Sequence, residues 1–199
     1  MSLLALLQSQ LSGEQTAQLS QRLGVDQAEG QKAIGAALPA LVAALAGNAR
    51  RPGGAASLAT ALEQDHDGSV LDDLAGFLNR GDTKEGEGIL KHALGARRPA
   101  VESAVAAQAG LDTKAVSGLL PLLAPLVMGA LGRQKRQAGL DPDGLSSMLA
   151  GEGKRAKEMA PGALGLLGSL LDDEGDGLDA GDLADAGKKF LGGLMGRRK

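Results

Sequence analysis

Two stretches of this chain are almost uniformly apolar, whereas the rest alternates short apolar runs with polar residues and glycine. The stretches are "AIGAALPALVAALAG" at residues 33–47 and "AVSGLLPLLAPLVMGALG" at residues 115–132. Ala and Leu favour helices, and a helix that is apolar all round belongs in a core or a bilayer. Proline interrupts helical hydrogen bonding, so Pro39 and Pro125 are expected to kink or split these runs. The pattern predicts an all-α fold, a multihelical array of short helices.

The apolar stretches belong to a longer match within the chain. Residues 24–46 align on residues 110–132 without a gap, which pairs Gly24, Asp26, Pro39, Ala44 and Leu45 with Gly110, Asp112, Pro125, Ala130 and Leu131. A second match starts at Pro52 and at Pro161. An internal duplication explains both matches. It predicts a first helical repeat at residues 1–80 and a second at 87–199, with an insertion at 133–160.

Asp26 and Asp112 hold equivalent places just before the two apolar stretches. A short side-chain oxygen accepts hydrogen bonds from the free N–H groups of a first helical turn. Both residues are therefore predicted to be helix N-caps.

Each predicted repeat carries an acidic loop, at residues 63–73 and 172–182. With Gly68 at position six of a helix-loop-helix calcium loop, oxygen ligands fall at positions one, three and five. Position twelve, which needs a bidentate acid, is Leu74, so Asp73 would have to turn inward. The second loop lacks the same ligand. The candidate calcium ligands are Glu63, Asp65, Asp67, Asp73, Asp172, Asp176 and Asp182.

Helix capping is the alternative interpretation of the first loop. Ser69 followed by Asp72 resembles a capping box, and Asp-Gly is a common turn pair without metal. Capping accounts for Ser69, Asp72 and Asp73 better than for Glu63, Asp65 and Asp67, whose like charges repel without a screening cation. Both interpretations stay open from the sequence.

Composition narrows the function classes. The chain has no Trp, Tyr or Cys, two Phe and 31 Gly. Lack of cysteine excludes disulfides and thiolate chemistry, and the many glycines favour short helices. A net charge of -3 and the scarcity of aromatic side chains argue against nucleic acid as a partner.

The sequence contains little evidence of a catalytic site. The two histidines, His66 and His92, have no partner at metal-ligand spacing, and no phosphate loop or nucleophile elbow is present. We expect His66 to be a solvated loop residue and His92 to be a helix-surface or partly buried residue. The basic residues Arg133, Lys135 and Arg136 are expected at a solvated helix end. The sequence predicts a protein that is not an enzyme.

Two segments of the chain could contact a membrane. Residues 115–132 are uncharged over about the minimum length of a spanning helix, but two prolines and three glycines favour a buried hairpin in the core. The tail "GKKFLGGLMGRRK" is basic and could touch an anionic membrane surface or nucleic acid phosphates. The stronger alternative is that it pairs with the nearby acids 172–185 or remains frayed. The N-terminus lacks the charge pattern of a signal peptide, which favours a cytoplasmic protein.

The chain resembles a bacterial family, domain of unknown function nine hundred thirty-seven, YidB-like. The likeness rests on "MSLLALLQSQL", "AIGAALPALVAALAGNA", "DHDGSVLDDLAGFL", "GILKHALGARRPAVE" and "LLAPLVMGALGRQKRQAGL". It implies a multihelical fold and transfers no activity. Near the C-terminus "DDEGDGLDAGD" departs from the family's fuller acidic motif at Leu178 and Gly181. We expect a non-enzymatic helical structural or protein-interaction protein that binds other proteins or itself; the alternative is a divalent-cation module for calcium.

Overall fold

The chain forms helices throughout the part that the structure describes. The structure is a computed structural model and describes residues 2–161. These residues contain no strand, which confirms the all-α prediction. Two single 3-10 turns lie at Ser69–Leu71 and Gly95–Arg97. The α-helices of this part are α1 (Leu3–Gln10), α2 (Glu14–Leu23), α3 (Gln27–Ala49), α4 (Gly54–Gln64), α5 (Leu74–Arg80), α6 (Lys84–Ala93), α7 (Arg98–Ala109), α8 (Thr113–Ala138) and α9 (Pro142–Met159).

The two predicted N-caps begin the two central helices. The Asp26 side chain accepts from the Glu29 N–H at 2.8 Å, and the Glu29 carboxylate accepts from the Asp26 N–H at 3.0 Å. This reciprocal pair is a capping box at the start of α3. Asp112 accepts from the Lys114 N–H at 2.7 Å at the start of α8. Both cap predictions are confirmed.

The prediction of short helices is wrong for α3 and α8. They run for 23 and 26 residues, and Pro39 and Pro125 lie inside them without splitting them. Residues 115–132 therefore form one stretch of helix and not a hairpin. Nearly every side chain in these stretches is buried, and this packing offsets the backbone bonds that proline removes.

Close approach by α6 covers one carbonyl that a proline leaves free. Pro125 has no N–H to donate to the carbonyl of Pro121, one helical turn earlier. A Cβ placed on Gly86 of α6 would lie 1.8 Å from that carbonyl oxygen. Glycine at this position therefore lets the backbone of α6 pack directly on α8.

The core is built around α3 and α8. α3 packs along α9 and also contacts α2 and α7, whereas α8 packs mainly against α6 and α7. Two helices precede each long helix, α1 and α2 before α3, and α6 and α7 before α8. This order agrees with the match between residues 24–46 and 110–132. The duplication itself and the repeat boundaries stay predictions, and nearly all of the match that begins at Pro161 lies outside the described residues.

Helix α9 falls within the segment predicted to be an insertion. Its Gly153 lies close to α3, since a Cβ there would be 3.0 Å from the Ala46 Cβ. Its buried Glu152 accepts from the Leu4 N–H at 3.3 Å and pairs with Arg155. A free N–H in the first turn of α1 is thereby satisfied, because a helix N-terminus favours an acceptor with negative charge.

Both central helices are long and apolar enough to cross a membrane by length and composition alone. Their apolar windows are 78% and 83% buried inside the fold. Core helices of soluble proteins have the same composition, so the property is weak evidence for a membrane span. Burial of this extent is typical of helices in a protein core.

Candidate functional site

The acidic loop between α4 and α5 is a tight, partly buried connection. Asp65 closes α4, where its N–H donates to the Ala61 carbonyl at 3.0 Å. Gly68 then turns the chain with a φ of 90°, in the left-handed region that favours glycine. The 3-10 turn that follows buries Leu71. The loop is thus seated on the core and does not project from it.

The predicted capping box at Ser69 is wrong. Ser69 begins only the 3-10 turn, and its N–H donates to the Asp67 carboxylate at 2.9 Å. The next α-helix begins at Leu74, with Asp73 as its N-cap accepting from the Gly76 N–H at 3.0 Å. A turn that buries Leu71 separates Ser69 from this helix. The observed N-cap is therefore Asp73, four residues after the predicted one.

Three glycines allow the loop to lie directly on α8. A Cβ on Gly132 would lie 1.9 Å from the His66 carbonyl oxygen. One on Gly129 would lie 2.5 Å from the Val70 side chain, and one on Gly68 would lie 2.8 Å from the Gly129 carbonyl oxygen. Larger residues at these places would push the loop off the helix.

The basic end of α8 holds the loop by ion pairs. Arg133 donates to the Gly68 carbonyl at 2.6 Å and to the Asp72 carboxylate at 2.7 Å. The Lys135 ammonium lies 2.6 Å from the Glu63 carboxylate, although its side chain is only 10% exposed. The expectation that these cations are solvated is wrong for Lys135, because the acidic loop covers it.

Asp67 has partners on the loop and on α8. Its carboxylate accepts from Ser69 and lies 3.8 Å from Arg136, which also donates to the Asp67 carbonyl. The hydrogen bonds from Ser69, with Arg136 and Arg133 nearby, hold the pKa of Asp67 below its usual value. These contacts stabilise the charged form of the loop without a metal ion.

The structure disperses the predicted calcium ligands of the first loop. Glu63 faces Lys135, Asp67 faces Ser69 and Arg136, and Asp73 caps α5 and lies 3.6 Å from Arg80. Within residues 2–161, no three carboxylates or histidines form an arrangement that could hold a metal ion. Asp172, Asp176 and Asp182 lie outside the described residues. Calcium binding stays a prediction that no contact in this part of the chain favours.

His66 links the acidic loop to α6. Its Nδ1 lies 3.1 Å from a Glu85 carboxylate oxygen, and its side chain is 10% exposed. The expectation of a solvated loop histidine is therefore wrong. The His66 carbonyl lies against Gly132 of α8, and its imidazole contacts the start of α6.

A groove of about 970 Å³ opens between α4 and α6. Leu45 of α3 and Met128 of α8 are buried in its floor, while Leu58 of α4 and Ile89 of α6 are half-buried in its walls. Both histidines of the chain line it. It is the candidate functional site.

The two walls of the groove run antiparallel. At one end, Asn48 donates to the His92 and Ala93 carbonyls at the end of α6, at 3.2 and 2.9 Å. The Asn48 carbonyl also lies against Gly54 at the start of α4. At the other end, His66 joins the end of α4 to Glu85 at the start of α6.

The ends of the groove differ in charge. The His66 end carries Asp65 and Glu85, and the Asn48 end carries Arg51. Arg97 lies behind this second end and donates to the Asn48 side chain at 3.3 Å. Burial, and then the nearby charge of Arg51, lower the pKa of Arg97. One end is therefore acidic and the other basic.

The groove was missed from the sequence because its lining comes from four helices. The one available signal is helical spacing within each wall: residues 54, 57, 58, 61 and 65 share a face of α4, and residues 85, 88, 89 and 92 share a face of α6. These faces are rich in Gly, Ser and charged residues, so they do not resemble an apolar core stripe. The sequence of either wall alone gives no sign of its partner.

Comparison with protein families identifies the chain. The family described as bacterial protein of unknown function, DUF937, matches residues 5–134, more than half of the chain. The chain belongs to the DUF937 family. The match includes every residue that lines the groove, whereas α9 lies beyond it. Neither the curated proteins nor the solved structures gave a match to this DUF937 protein.

Proposed function

We propose that this protein is a non-enzymatic helical interaction module, and that the groove between α4 and α6 receives a segment of a partner protein. The observation that carries the proposal is a groove that has apolar side chains in its floor and on both of its walls. Leu58 and Ile89 are half-buried in the groove walls. Other half-buried apolar side chains of residues 2–161, among them Leu6, Leu23 and Met148, are not groove residues.

The shape of the groove favours a polypeptide over a small molecule. Small-molecule sites are concave pockets of about 300–1,000 Å³ that enclose most of the ligand surface. At about 970 Å³ the groove is near the upper end of that range, and it lies between two helices of 11 and 10 residues. A long, open groove with an apolar floor and a polar rim is the form that recognises protein segments.

The histidines of the groove have no catalytic part in this proposal. His66 Nδ1 lies 3.1 Å from Glu85, a contact that fixes the loop against α6. The carbonyl of His92 accepts from Asn48, a contact that fixes the end of α6 against α3. Both residues therefore take part in contacts at the two ends of the groove.

Site-specific photo-crosslinking tests the proposal. The photoreactive residue p-benzoylphenylalanine replaces Leu58 or Ile89 in the full chain, produced in the bacterium that makes it. The control carries it at Thr60, an exposed residue of α4 that is not among the groove residues. We expect one partner protein to crosslink from both groove positions and not from Thr60, because crosslinking requires close contact.

A purified partner must then bind the purified protein, and Leu58→Glu must weaken that binding by at least about tenfold. Crosslinks from Thr60 to the same protein, or none from either groove position, would contradict the proposal. An adduct of twice the chain mass would mean that the partner is a second copy.

A further inference from the structure

The accessible groove also indicates what kind of segment fits it. We propose that its occupant is an amphipathic α-helix of another protein, about three turns long, with Lys or Arg at the end beside Asp65 and Glu85 and with Asp or Glu at the end beside Arg51. This inference rests on the proposed function, since it names the class of partner for the same groove.

A helix is favoured over an extended peptide because the groove offers no strand edge. The described residues contain no strand, and both walls are helices whose backbone groups bond within themselves. An extended occupant would leave its own N–H and C=O groups without partners as it became buried, whereas a helix satisfies them internally.

Gly88 of α6 supports close approach by an occupant. It is exposed in mid-helix and lines the groove, and a Cβ there would meet no atom within 4 Å. Glycine weakens a helix relative to alanine, and nothing in the packing of residues 2–161 requires it at this position. A second helix that lies on α6 needs a small residue where the two backbones come close.

The length of the groove sets the length of the helix. α4 forms one wall over 11 residues, which corresponds to about 17 Å and about three turns. The apolar walls and floor require an occupant with apolar residues at helical spacing along one face.

The charges at the two ends set the direction of the helix. Asp65 is exposed, and no ion pair joins it to another described residue. Glu85 is 53% exposed beside His66, and Arg51 is exposed at the opposite end. A helix with its cationic end at Asp65 is attracted at both ends, and the reversed helix is repelled at both.

A selection from displayed peptides tests the inference on the full-length protein. One library encodes helix-forming peptides about three turns long, and a second adds a central proline that prevents the helix. We expect binders only from the first, with apolar residues at i, i+3 or i+4, and i+7 and with opposite charges at the two ends.

Two glycine variants form a matched pair for measuring the selected peptides by fluorescence anisotropy. Gly88→Leu should bind them at least about tenfold more weakly, because the added side chain fills the contact. Gly151→Leu should bind like the wild type, since Gly151 is also an exposed mid-helix glycine with open space around it but lies on α9. If Gly88→Leu fails to fold, Gly88→Ala should show a smaller loss in the same direction.

Charge reversal tests the direction. Glu85→Lys should weaken the selected peptides and improve binding of versions whose end charges are exchanged. The inference is overturned if proline-containing peptides are enriched, if no helix is enriched, or if Gly88→Leu binds as well as wild type. In those cases a partner protein crosslinked from Leu58 would leave the proposed function standing. A crosslink that joins Leu58 only to another part of the same chain, or to a second copy, would also overturn the inference.

Discussion

The two long helices α3 and α8 begin alike and end differently. Each starts at an aspartate N-cap and contains a proline at the same relative position. At its far end α8 extends into Arg133, Lys135 and Arg136, which bind the acidic loop. The last turn of α3 instead carries Asn48, which binds the end of α6 and lines the groove. Similar core helices thus support a closed loop in one case and an open groove in the other.

The comparison distinguishes the residues of each helix that stabilise the core from the residues near its end that contact other elements or line the groove. The shared first half of each helix is determined by capping and by burial on all sides. The contacts at the end of each helix depend on its neighbour. The cations of α8 meet an acidic loop, whereas Asn48 of α3 meets free carbonyls at the end of α6. The groove lies between α4 and α6, and contacts of Asn48 and His66 fix its two ends.

The largest expected effect compares equivalent leucines in the two helices. Leu131 of α8 is fully buried, whereas Leu45 of α3 lies in the groove floor and is 6% exposed. Leu131→Ala should reduce the free energy of unfolding by about 3–5 kcal/mol and Leu45→Ala by about 2 kcal/mol, since solvent can enter the cavity at Leu45. Urea unfolding followed by circular dichroism measures both, because the chain has no tryptophan.

Equal losses of unfolding free energy in the two variants would contradict this prediction. Equal losses would mean that the groove floor is as closely packed as the centre of the core. An unchanged denaturant slope in both variants would show that the comparison concerns the same folded and unfolded states.

The next prediction compares the polar residues that follow those leucines. Asn48→Ala should cost about 1–2 kcal/mol, because the His92 and Ala93 carbonyls lose a donor. Its equivalent in α8 is Gln134, whose buried side-chain oxygen has no hydrogen-bond donor among the described residues. Gln134→Leu should stay within about 0.5 kcal/mol of wild type or stabilise. Thermal unfolding would measure both, and a larger loss at Gln134 would contradict the assignment of Asn48 as the residue that holds α6.

The similar beginnings of the two helices predict smaller, similar effects. Asp26→Ala should cost about 1–2 kcal/mol and Asp112→Ala about 1 kcal/mol, because Asp26 also takes part in a capping box with Glu29. Glu29→Ala added to Asp26→Ala should then cause little further loss. Glu158→Ala, at an exposed site late in α9, is the control and should change stability by less than about 0.5 kcal/mol.

The parts of the fold that the sequence predicts are those with local causes. All-α structure follows from Ala and Leu content, and the two N-caps follow from a short side chain placed before an apolar run. The sequence predicts helices that are too short, because the local effect of Pro39 and Pro125 is to interrupt helical hydrogen bonding. Burial on all sides, which depends on distant neighbours such as Gly86, keeps both helices continuous.

The site was harder to predict because charge pairing between distant segments determines it. From the sequence alone, Glu63 and Asp67 have no nearby cation. In the fold, Lys135 and Arg136, which are distant in the sequence, pair with them. His66 likewise contacts Glu85 from a loop that packs on α8, and all three segments are far apart in the sequence. No spacing within one segment carries this information.

The smallest expected effect concerns Asp67 at the closed end of α8. Its folded pKa lies below the usual value near 3.8, so its charged form stabilises the fold at higher pH. That contribution is lost as pH falls below about 4 and through the lowered pKa, because the unfolded chain takes up the proton first. Asp67→Asn should therefore flatten the acid side of a plot of urea midpoint against pH.

Two further variants test the cause of this lowered pKa. Hydrogen bonding from Ser69 contributes more than the charge of Arg136. Ser69→Ala should then raise the pKa of Asp67 further than Arg136→Gln does, as followed by carboxyl carbon NMR. The opposite order would mean that the cations of α8, and not the turn itself, set the charge of the loop. In that case Arg136→Gln should also weaken the attachment of the loop at neutral pH, although the contacts of Arg133, Lys135 and the packed glycines remain.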